Sequence, residues 1–183
     1  MKKWPDIIDK SWTLFLDRDG VINVRLIDDY VKNVGEFEFI DGVLEAMSVF
    51  NKVFGRIILV TNQQGVGKGL MTMTQLEEVH SFMLQNIEKH NGRIDGVYSC
   101  PQLKSEPDNF RKPSPKMAFM AKADFPEIDF SKSIMIGDAD SDVKFGKNAG
   151  MMTVFVGNDE CKTQPDDNFE NLYNFAKQWK HLF

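Results

Sequence analysis

The chain carries near its start the run Trp12-Thr13-Leu14-Phe15-Leu16-Asp17-Arg18-Asp19-Gly20-Val21. A short apolar and aromatic segment that ends at charged residues is typical of a strand buried on both faces of a parallel sheet. Ligands of α/β proteins bind at the carboxyl ends of such strands, which is where Asp17 and Asp19 would lie. There, one carboxylate can attack a phosphoryl group as a nucleophile, and the other can serve as acid and base.

Further apolar runs and helical periodicities alternate along the rest of the chain. Strands are predicted at Arg56 to Val60, Ile94 to Tyr98, Ser133 to Ile136 and Met152 to Val156. Helices are predicted at Gly42 to Phe54, Thr74 to His90, Lys116 to Lys122, Asp142 to Ala149 and Asp167 to Trp179. This alternation predicts an α/β fold, a Rossmann-like parallel sheet with helices on both faces. We expect residues 1–183 to form a single domain.

Residues 23–40, directly after the first strand, do not fit a helix. Their Val, Tyr and Phe residues predict a small β-rich flap. A flap in this position would cover a site at the end of the first strand.

Three later segments place polar side chains at predicted strand ends or in a loop. Thr61 and Asn62 follow the second strand and can grip phosphate oxygens, and the Arg111-Lys112-Pro113 loop supplies a cation that can neutralise Asp17 and a phosphoryl group. The run Gly137-Asp138-Ala139-Asp140-Ser141-Asp142 closes another strand with carboxylates suited to Mg²⁺. Together with Asp17 and Asp19, these make four polar segments in a fixed order. Four unrelated turns would rarely produce this order, so it favours a site for phosphoryl transfer.

The run Gly65-Val66-Gly67-Lys68-Gly69 is superficially similar to a nucleotide-binding P-loop. The P-loop pattern requires a Gly five positions before the Gly-Lys pair and a Ser or Thr after it. This chain has Asn62 and Gly69 at those positions, so the P-loop interpretation is rejected.

Composition restricts the class of ligand and the compartment. The net charge of −5 argues against a nucleic-acid surface, and no apolar stretch approaches the roughly 20 residues of a membrane span. Cys100 and Cys161 form no disulfide framework, and residues 1–11 lack the apolar core of a signal peptide. We therefore expect a cytoplasmic protein that binds a small phosphorylated substrate, with neither nucleic acid nor membrane as a partner.

Taken in order, the motifs resemble those of the haloacid dehalogenase (HAD) superfamily, from about Thr13 to Val156. Within it, three segments are similar to the branch that contains the D-glycero-D-manno-heptose 1,7-bisphosphate phosphatases and the histidinol-phosphate phosphatases. These segments are Asp17 to Asn23, Val60 to Gly65 and Arg111 to Pro115.

The resemblance implies a hydrolase that acts on phosphoric monoesters through an aspartyl-phosphate intermediate. Asp17 would be the nucleophile and Asp19 the general acid and base, with Mg²⁺ held by Asp17, the backbone carbonyl of Asp19 and Asp138. The phosphate contacts would come from Thr61, Asn62 and Lys112, and Arg111 would face the substrate. The roles of Asp140 and Asp142 stay open, and a small flap is typical of a monomer.

The chain departs from this branch in two places. Many members carry a zinc loop with Cys-x-His and Cys-x-Cys pairs, but here only Cys100 remains, and Asp108-Asn109-Phe110 precedes Arg111. Zinc requires four ligands, so we expect no zinc. Lys116 stands where relatives usually have Gly. Because the zinc loop shapes the pocket of relatives, its loss bears on the choice of substrate.

The first expectation for the substrate is heptose 1,7-bisphosphate, for which Arg111, Lys68 or Lys116 would supply cations. The alternative is histidinol phosphate, whose amine would favour the flap carboxylates Asp28, Asp29 and Glu36. Sequence leaves this choice open.

From another class, a receiver-like signalling module would need an Asp after its middle strand, where this chain has Thr61 and Asn62. A catalytically inactive phosphate-binding protein would be expected to lack part of the catalytic set. The expected residues are all present, which argues against that alternative.

Overall fold

The computed structural model describes residues 4–183. Residues 1–3 lie outside this range. They belong to the segment 1–11 that was considered for a signal peptide and to the predicted domain 1–183. No helix within residues 4–183 combines the length and apolar character needed to cross a bilayer.

Within residues 4–183, six parallel strands form one sheet in the order β3-β2-β1-β4-β5-β6. Their bounds are β1 (Thr13–Leu16), β2 (Arg56–Asn62), β3 (Gly96–Cys100), β4 (Ser133–Gly137), β5 (Met152–Val156) and β6 (Asp167–Phe169). Leu16, the last residue of β1, lies opposite Leu59 of β2 and Ile136 of β4. The three strands therefore end close together, and the motif residues that follow them meet at one edge of the sheet.

Helices cover both faces of this sheet, as predicted. They are α1 (Trp4–Ile7), α2 (Val43–Val53), α3 (Gln64–Gly67), α4 (Met73–Lys89), α5 (Lys116–Asp124), α6 (Asp140–Ala149) and α7 (Leu172–Ala176), with 3₁₀ turns at Val34–Glu36, Phe130–Lys132 and Lys177–Leu182. Side chains of β1 alternate between the faces: Leu14 and Leu16 pack with α2, α4 and α7, whereas Phe15 packs with α5 and α6. Each fully buried side chain of this size contributes about 1.5–3 kcal/mol, so β1 is firmly anchored.

The predicted helix from Asp167 to Trp179 is wrong at its start. Residues Asp167–Phe169 form the edge strand β6 on β5, with Val154 opposite Asp167. α7 begins only after Asn171, whose side-chain oxygen accepts from the N–H of Asn174 at 2.9 Å. The pairing with a distant strand outweighs the local helical pattern here, and Asn171 is the N-cap signal that marks the true start.

The third strand and the flap also differ from prediction. β3 starts two residues later than predicted, because the Asp95 side chain accepts from the N–H of Ile57 at 2.7 Å and strand pairing begins only at Gly96. Residues 23–40 contain an isolated bridge between Asn23 and Phe39 and a 3₁₀ turn, so the β-rich prediction is wrong. Turn-forming residues, among them Asp28 with φ of +57°, interrupt the strand pattern.

Candidate active site

Asp17 lies immediately after β1 and is held beside a buried cation. Its Oδ1 is 2.7 Å from Nζ of Lys112, and it also accepts from the N–H of Arg18 at 2.7 Å. The backbone N–H of Asp17 donates to the carbonyl of Ile136 at 3.0 Å, which continues the pairing of β1 with β4. The predicted nucleophile is therefore fixed both by the sheet and by the predicted cation.

Lys112 is 2% exposed and uses its whole ammonium group on protein oxygens. Nζ is 2.7 Å from Asp17, 2.7 Å from Oδ1 of Asp142 and 3.0 Å from the carbonyl of Val60. Burial lowers the pKa of Lys112, but Asp142 and Asp17 outweigh this effect and the net pKa is raised. Since an ammonium has three protons, Lys112 would act on a phosphoryl group here through its charge rather than through a further hydrogen bond.

Asn62 fixes the backbone of Lys112. Its Oδ1 accepts from the N–H of Lys112 at 2.8 Å, and its Nδ2 donates to the Lys112 carbonyl at 3.2 Å. The Asn62 side chain therefore holds the cationic loop against the end of β2. In this arrangement its amide contributes to the site by placing Lys112.

Asp19 is surrounded by donors from three directions. Nη2 of Arg18 is 3.0 Å from both carboxylate oxygens, Nδ2 of Asn23 donates at 3.0 Å and Nε2 of Gln63 donates at 2.8 Å. Burial raises the pKa of Asp19, but Arg18, Asn23 and Gln63 together outweigh it and hold the pKa below the ordinary value. Asp19 is thus ionised at neutral pH, the state that accepts a proton from water.

Asp138 and Asp142, which follow β4, complete a group of three carboxylates with Asp17. Each offers an oxygen within 4.8 Å of the others. Asp138 reaches the turn after β1 only because Gly20 has no side chain, since a Cβ there would lie 1.9 Å from Oδ2 of Asp138. Asp142 is almost fully buried, with Oδ2 accepting from the N–H of Ala139 at 3.0 Å.

The electrostatics of this group suit a divalent cation. Burial, together with Asp142 and Asp138, raises the pKa of Asp17 to about 8 against the opposing effect of Lys112. Burial and Asp142 likewise raise the pKa of Asp138 to about 6, although Arg25 opposes the shift. Crowded carboxylates of this kind are stabilised by a hard cation with oxygen ligands. The donor set therefore fits Mg²⁺.

These pKa shifts predict that the stability of the metal-free protein depends on pH. The folded-state pKa of Asp17, about 8, exceeds its reference value of 3.8, so the folded state binds more protons than the unfolded state between these values. The free energy of unfolding in EDTA should therefore fall as pH rises from 6 to 8.5. Urea denaturation checks this, and Mg²⁺ should stabilise more at pH 8.5 than at pH 6, because its ligands must be deprotonated.

Asp17→Asn removes the titrating group and is the control for this pH dependence. It should reduce the loss of stability between pH 6 and 8.5 in EDTA. A wild-type stability that does not change over this range, or a variant with the same slope as wild type, would contradict the assignment.

A pocket of about 190 Å³ opens over Asp17, Thr61 and Asp138, and the flap supplies part of its wall. The flap residues are Arg25, Leu26, Asp29 and Tyr30. The Thr61 hydroxyl oxygen accepts from Nε2 of Gln63 at 2.9 Å, which leaves its proton free for a ligand. A larger cleft of about 350 Å³ lies between α2 and the C-terminal residues, but no motif residue lines it.

Arg25 is a pocket residue that sequence reasoning missed. Its Nη1 is 2.9 Å from Oδ2 of Asp138, and its Nη2 is 3.1 Å from Asp159 in the loop after β5. A single Arg in an irregular segment carries no motif signal, so only the fold reveals that it reaches Asp138. Arg18, Asn23 and Gln63 lie within the motif segments, but sequence reasoning missed them as partners of Asp19 because these contacts depend on how the segments pack together.

Of the residues predicted to set the substrate specificity, one lines the pocket and others contact groups outside it. Arg111 adjoins Lys112, but its guanidinium donates to Oε1 of Gln64 at 2.7 Å. The exposed side chains of Lys68 and Lys116 contact the Tyr30 ring and the Asp108 carbonyl. Of the three flap carboxylates, Asp29 lines the pocket, whereas Asp28 and Glu36 are not among its lining residues.

Comparison with known proteins agrees with this geometry. A profile of the HAD-hydrolase-like family matches residues 109–175. The chain is also 34% identical over 171 residues to a Mycobacterium tuberculosis protein named D-glycero-alpha-D-manno-heptose-1,7-bisphosphate 7-phosphatase, across 91% of this chain and 90% of that protein. The chain belongs to the HAD-type phosphatases.

Other members of this family show the same likeness. A Vibrio cholerae protein named D-glycero-beta-D-manno-heptose-1,7-bisphosphate 7-phosphatase is 37% identical over 148 residues, across 76% of this chain and 77% of that protein. The crystal structure of D,D-heptose 1,7-bisphosphate phosphatase from B. bronchiseptica, complexed with magnesium and phosphate, matches with a TM-score of 0.82 at 25% identity, across 93% of this chain and 98% of that chain. The predicted fold class, superfamily and type of enzyme are confirmed.

Proposed function

We propose that this HAD-type phosphatase removes the 7-phosphate of D-glycero-D-manno-heptose 1,7-bisphosphate with Mg²⁺ as cofactor. The observation that carries this proposal is the buried pairing of Asp17 with Lys112 beside Asp138, at a pocket of about 190 Å³. The names of the relatives supply the substrate.

Asp17 acts as the nucleophile in the proposed reaction. Asp19, which is ionised in the resting site, first takes up a proton from solvent. The carboxylate oxygen of Asp17 then forms a bond to phosphorus while the ester oxygen departs and receives that proton from Asp19. A water molecule then attacks the phosphorus of the aspartyl phosphate, Asp19 takes a proton from that water, and Asp17 leaves as a carboxylate. Lys112 neutralises negative charge on Asp17 through both steps, and the Thr61 hydroxyl donates to a phosphoryl oxygen.

Asp17, Asp138 and the backbone carbonyl of Asp19 would hold Mg²⁺, and Asp142 lies within reach of the same position. When bound, Mg²⁺ would keep Asp17 ionised at neutral pH and withdraw charge from the phosphoryl oxygens. We infer no zinc site, since Cys100 keeps only one of the ligands found in relatives. The chain is proposed to act as a single-domain monomer in the cytoplasm.

Charge at the pocket separates the two candidate substrates. The Arg25 side chain is 45% exposed and lines the pocket, where it would attract a second phosphate and repel the amine of histidinol phosphate. Asp29 favours the amine, but its Oδ2 is 2.8 Å from Nζ of Lys32, which offsets its charge. Heptose bisphosphate is therefore the first candidate, and histidinol phosphate the second.

The experiment that tests the function is phosphate release by purified protein with Mg²⁺. The panel holds both anomers of the heptose bisphosphate, histidinol phosphate and common phosphomonoesters. We expect kcat/KM for one heptose anomer to exceed that for histidinol phosphate by at least about 100-fold, the value of about 3 kcal/mol of differential binding.

Preference for histidinol phosphate would contradict the substrate assignment and leave the phosphatase assignment intact. Inactivity towards every ester would favour a phosphate-binding protein without catalysis. A protein that is stably phosphorylated on Asp17 and then binds a partner would instead indicate a receiver-like module.

A further inference from the structure

Arg18 carries a buried charge that the reaction described above does not use. Its side chain is fully buried, although it stands between Asp17 and Asp19 in the chain. A buried cation costs several kcal/mol unless partners compensate it, so the position of this guanidinium is determined by what it contacts. The contacts are Asp19 on one side and His80 of α4 on the other.

The contact with His80 fixes the protonation of the imidazole. Nη1 of Arg18 is 3.2 Å from Nε2 of His80, while Nη2 is 3.0 Å from both oxygens of Asp19. A guanidinium can only donate, so Nε2 accepts and the imidazole proton is on Nδ1. Burial, together with the charge of Arg18, lowers the pKa of His80 to about 4, which keeps the ring neutral at pH 7.

His80 is itself held rigidly. It lies on α4 between Val79 and Met83, whose side chains are fully buried in the core, and it is only 8% exposed. Asp19, at the other end of the network, has 24% of its side chain exposed and lines the pocket. The hydrogen bonds therefore run from a packed helix, through a buried cation, to a carboxylate that a substrate can reach.

We propose that His80 is a positioning residue for the phosphatase reaction: by accepting from Arg18, it holds the Arg18 guanidinium where it orients the carboxylate of Asp19. This inference rests on the proposed function, in which Asp19 transfers protons. Without the acceptor, one end of the guanidinium loses its fixed position, and Asp19 loses the alignment needed to protonate the leaving oxygen and to deprotonate water.

The two proton transfers respond differently to the leaving group. An alkoxide leaving group needs the proton of Asp19 when the ester bond to phosphorus breaks, whereas 4-nitrophenolate is stable enough to depart without it. Hydrolysis of the aspartyl phosphate needs Asp19 as base in both cases. A misaligned Asp19 therefore slows both steps for a sugar phosphate but only the second step for 4-nitrophenyl phosphate.

The experiment compares His80→Leu, which removes the acceptor, with His80→Gln, which restores a side-chain oxygen. Met83→Leu is the matched control, because it alters a buried residue of α4 that is absent from the network. We expect kcat of His80→Leu on the sugar phosphate to fall about 10- to 100-fold, and KM to change less than about threefold. The expected fall is smaller than or equal to the whole contribution of a general acid–base to the rate, which is about 10²- to 10⁴-fold, because Asp19 itself is retained. His80→Gln should recover most of kcat.

With 4-nitrophenyl phosphate, His80→Leu should release one 4-nitrophenol per site in a burst as fast as that of wild type, followed by a slower steady state. Equal losses in burst and steady-state rates, or activity of His80→Leu equal to that of Met83→Leu, would overturn the proposal.

The network can also be measured without turnover, which separates this inference from the proposed function. In ¹⁵N NMR spectra of the wild-type protein at pH 7.5, the imidazole of His80 should be protonated on Nδ1 and unprotonated on Nε2. The opposite tautomer would overturn the positioning role even if the enzyme proves active. The expected tautomer together with an inactive wild-type protein would contradict the function but support the hydrogen-bond network.

Discussion

Asp17→Asn is expected to abolish phosphate release, lowering kcat by at least about 10⁴-fold, as loss of a nucleophile does in other covalent mechanisms. The amide cannot form the bond to phosphorus, although its oxygen can still accept from Nζ of Lys112, so the fold should persist. Steady-state phosphate release on the preferred substrate measures the loss. After reaction with ³²P-labelled substrate and quenching in acid, the wild-type protein should carry ³²P-phosphate and the variant should carry none.

The matched control for this substitution is Asp140→Asn, which makes the same change at the same edge of the sheet. Asp140 is engaged by Lys144 at 2.8 Å and by the N–H of Thr163 at 2.7 Å, and it does not line the pocket. Its kcat should stay within about twofold of wild type, as expected of surface groups outside the site. Comparable losses in both variants would show that the carboxylates of this edge act through stability and that Asp17 is not the nucleophile.

The parts of the fold that sequence predicted well are those with strong local patterns. The short apolar run before Asp17 is typical of a buried strand, and the placement of polar residues after successive strands follows from the common direction of a parallel sheet. Asp17, Lys112 and Asp138 could therefore be named in advance, and they do meet. β6 could not be predicted from the sequence, since a three-residue edge strand is defined by its pairing with β5 rather than by its own residues.

The contacts that the motif residues make with one another could not be predicted from the sequence either, because they join residues that are far apart in the chain. Asn62 binds the backbone of Lys112, and Gln63 binds Asp19, across sequence separations of 50 and 44 residues. Neither contact follows from periodicity or composition. Asp142 is another case: it reaches Lys112 while packed so closely on Gly137 that a Cβ there would lie 2.1 Å from the Asp142 Cβ. Such close approaches depend on the packed structure as a whole.

Lys112→Met is expected to damage both activity and stability. It leaves Asp17 and Asp142 buried without their common cation, and breaking a buried ion pair by removing one partner costs about 3–5 kcal/mol. It also removes the charge that neutralises the phosphoryl group, for which we expect a loss of at least about 10³-fold in kcat. Urea denaturation and phosphate release measure the two effects separately.

The double variant Lys112→Met/Asp142→Asn shows whether the activity loss is only a consequence of instability. Asn at position 142 removes one of the two unpaired charges but restores no cation beside Asp17. We expect the double variant to regain at least about 1 kcal/mol of stability over Lys112→Met, the typical value of relieving an uncompensated buried group. Its kcat should stay as low as that of the single variant. Recovery of activity along with stability would mean that Lys112 supports the structure of the site and contributes no charge to the reaction.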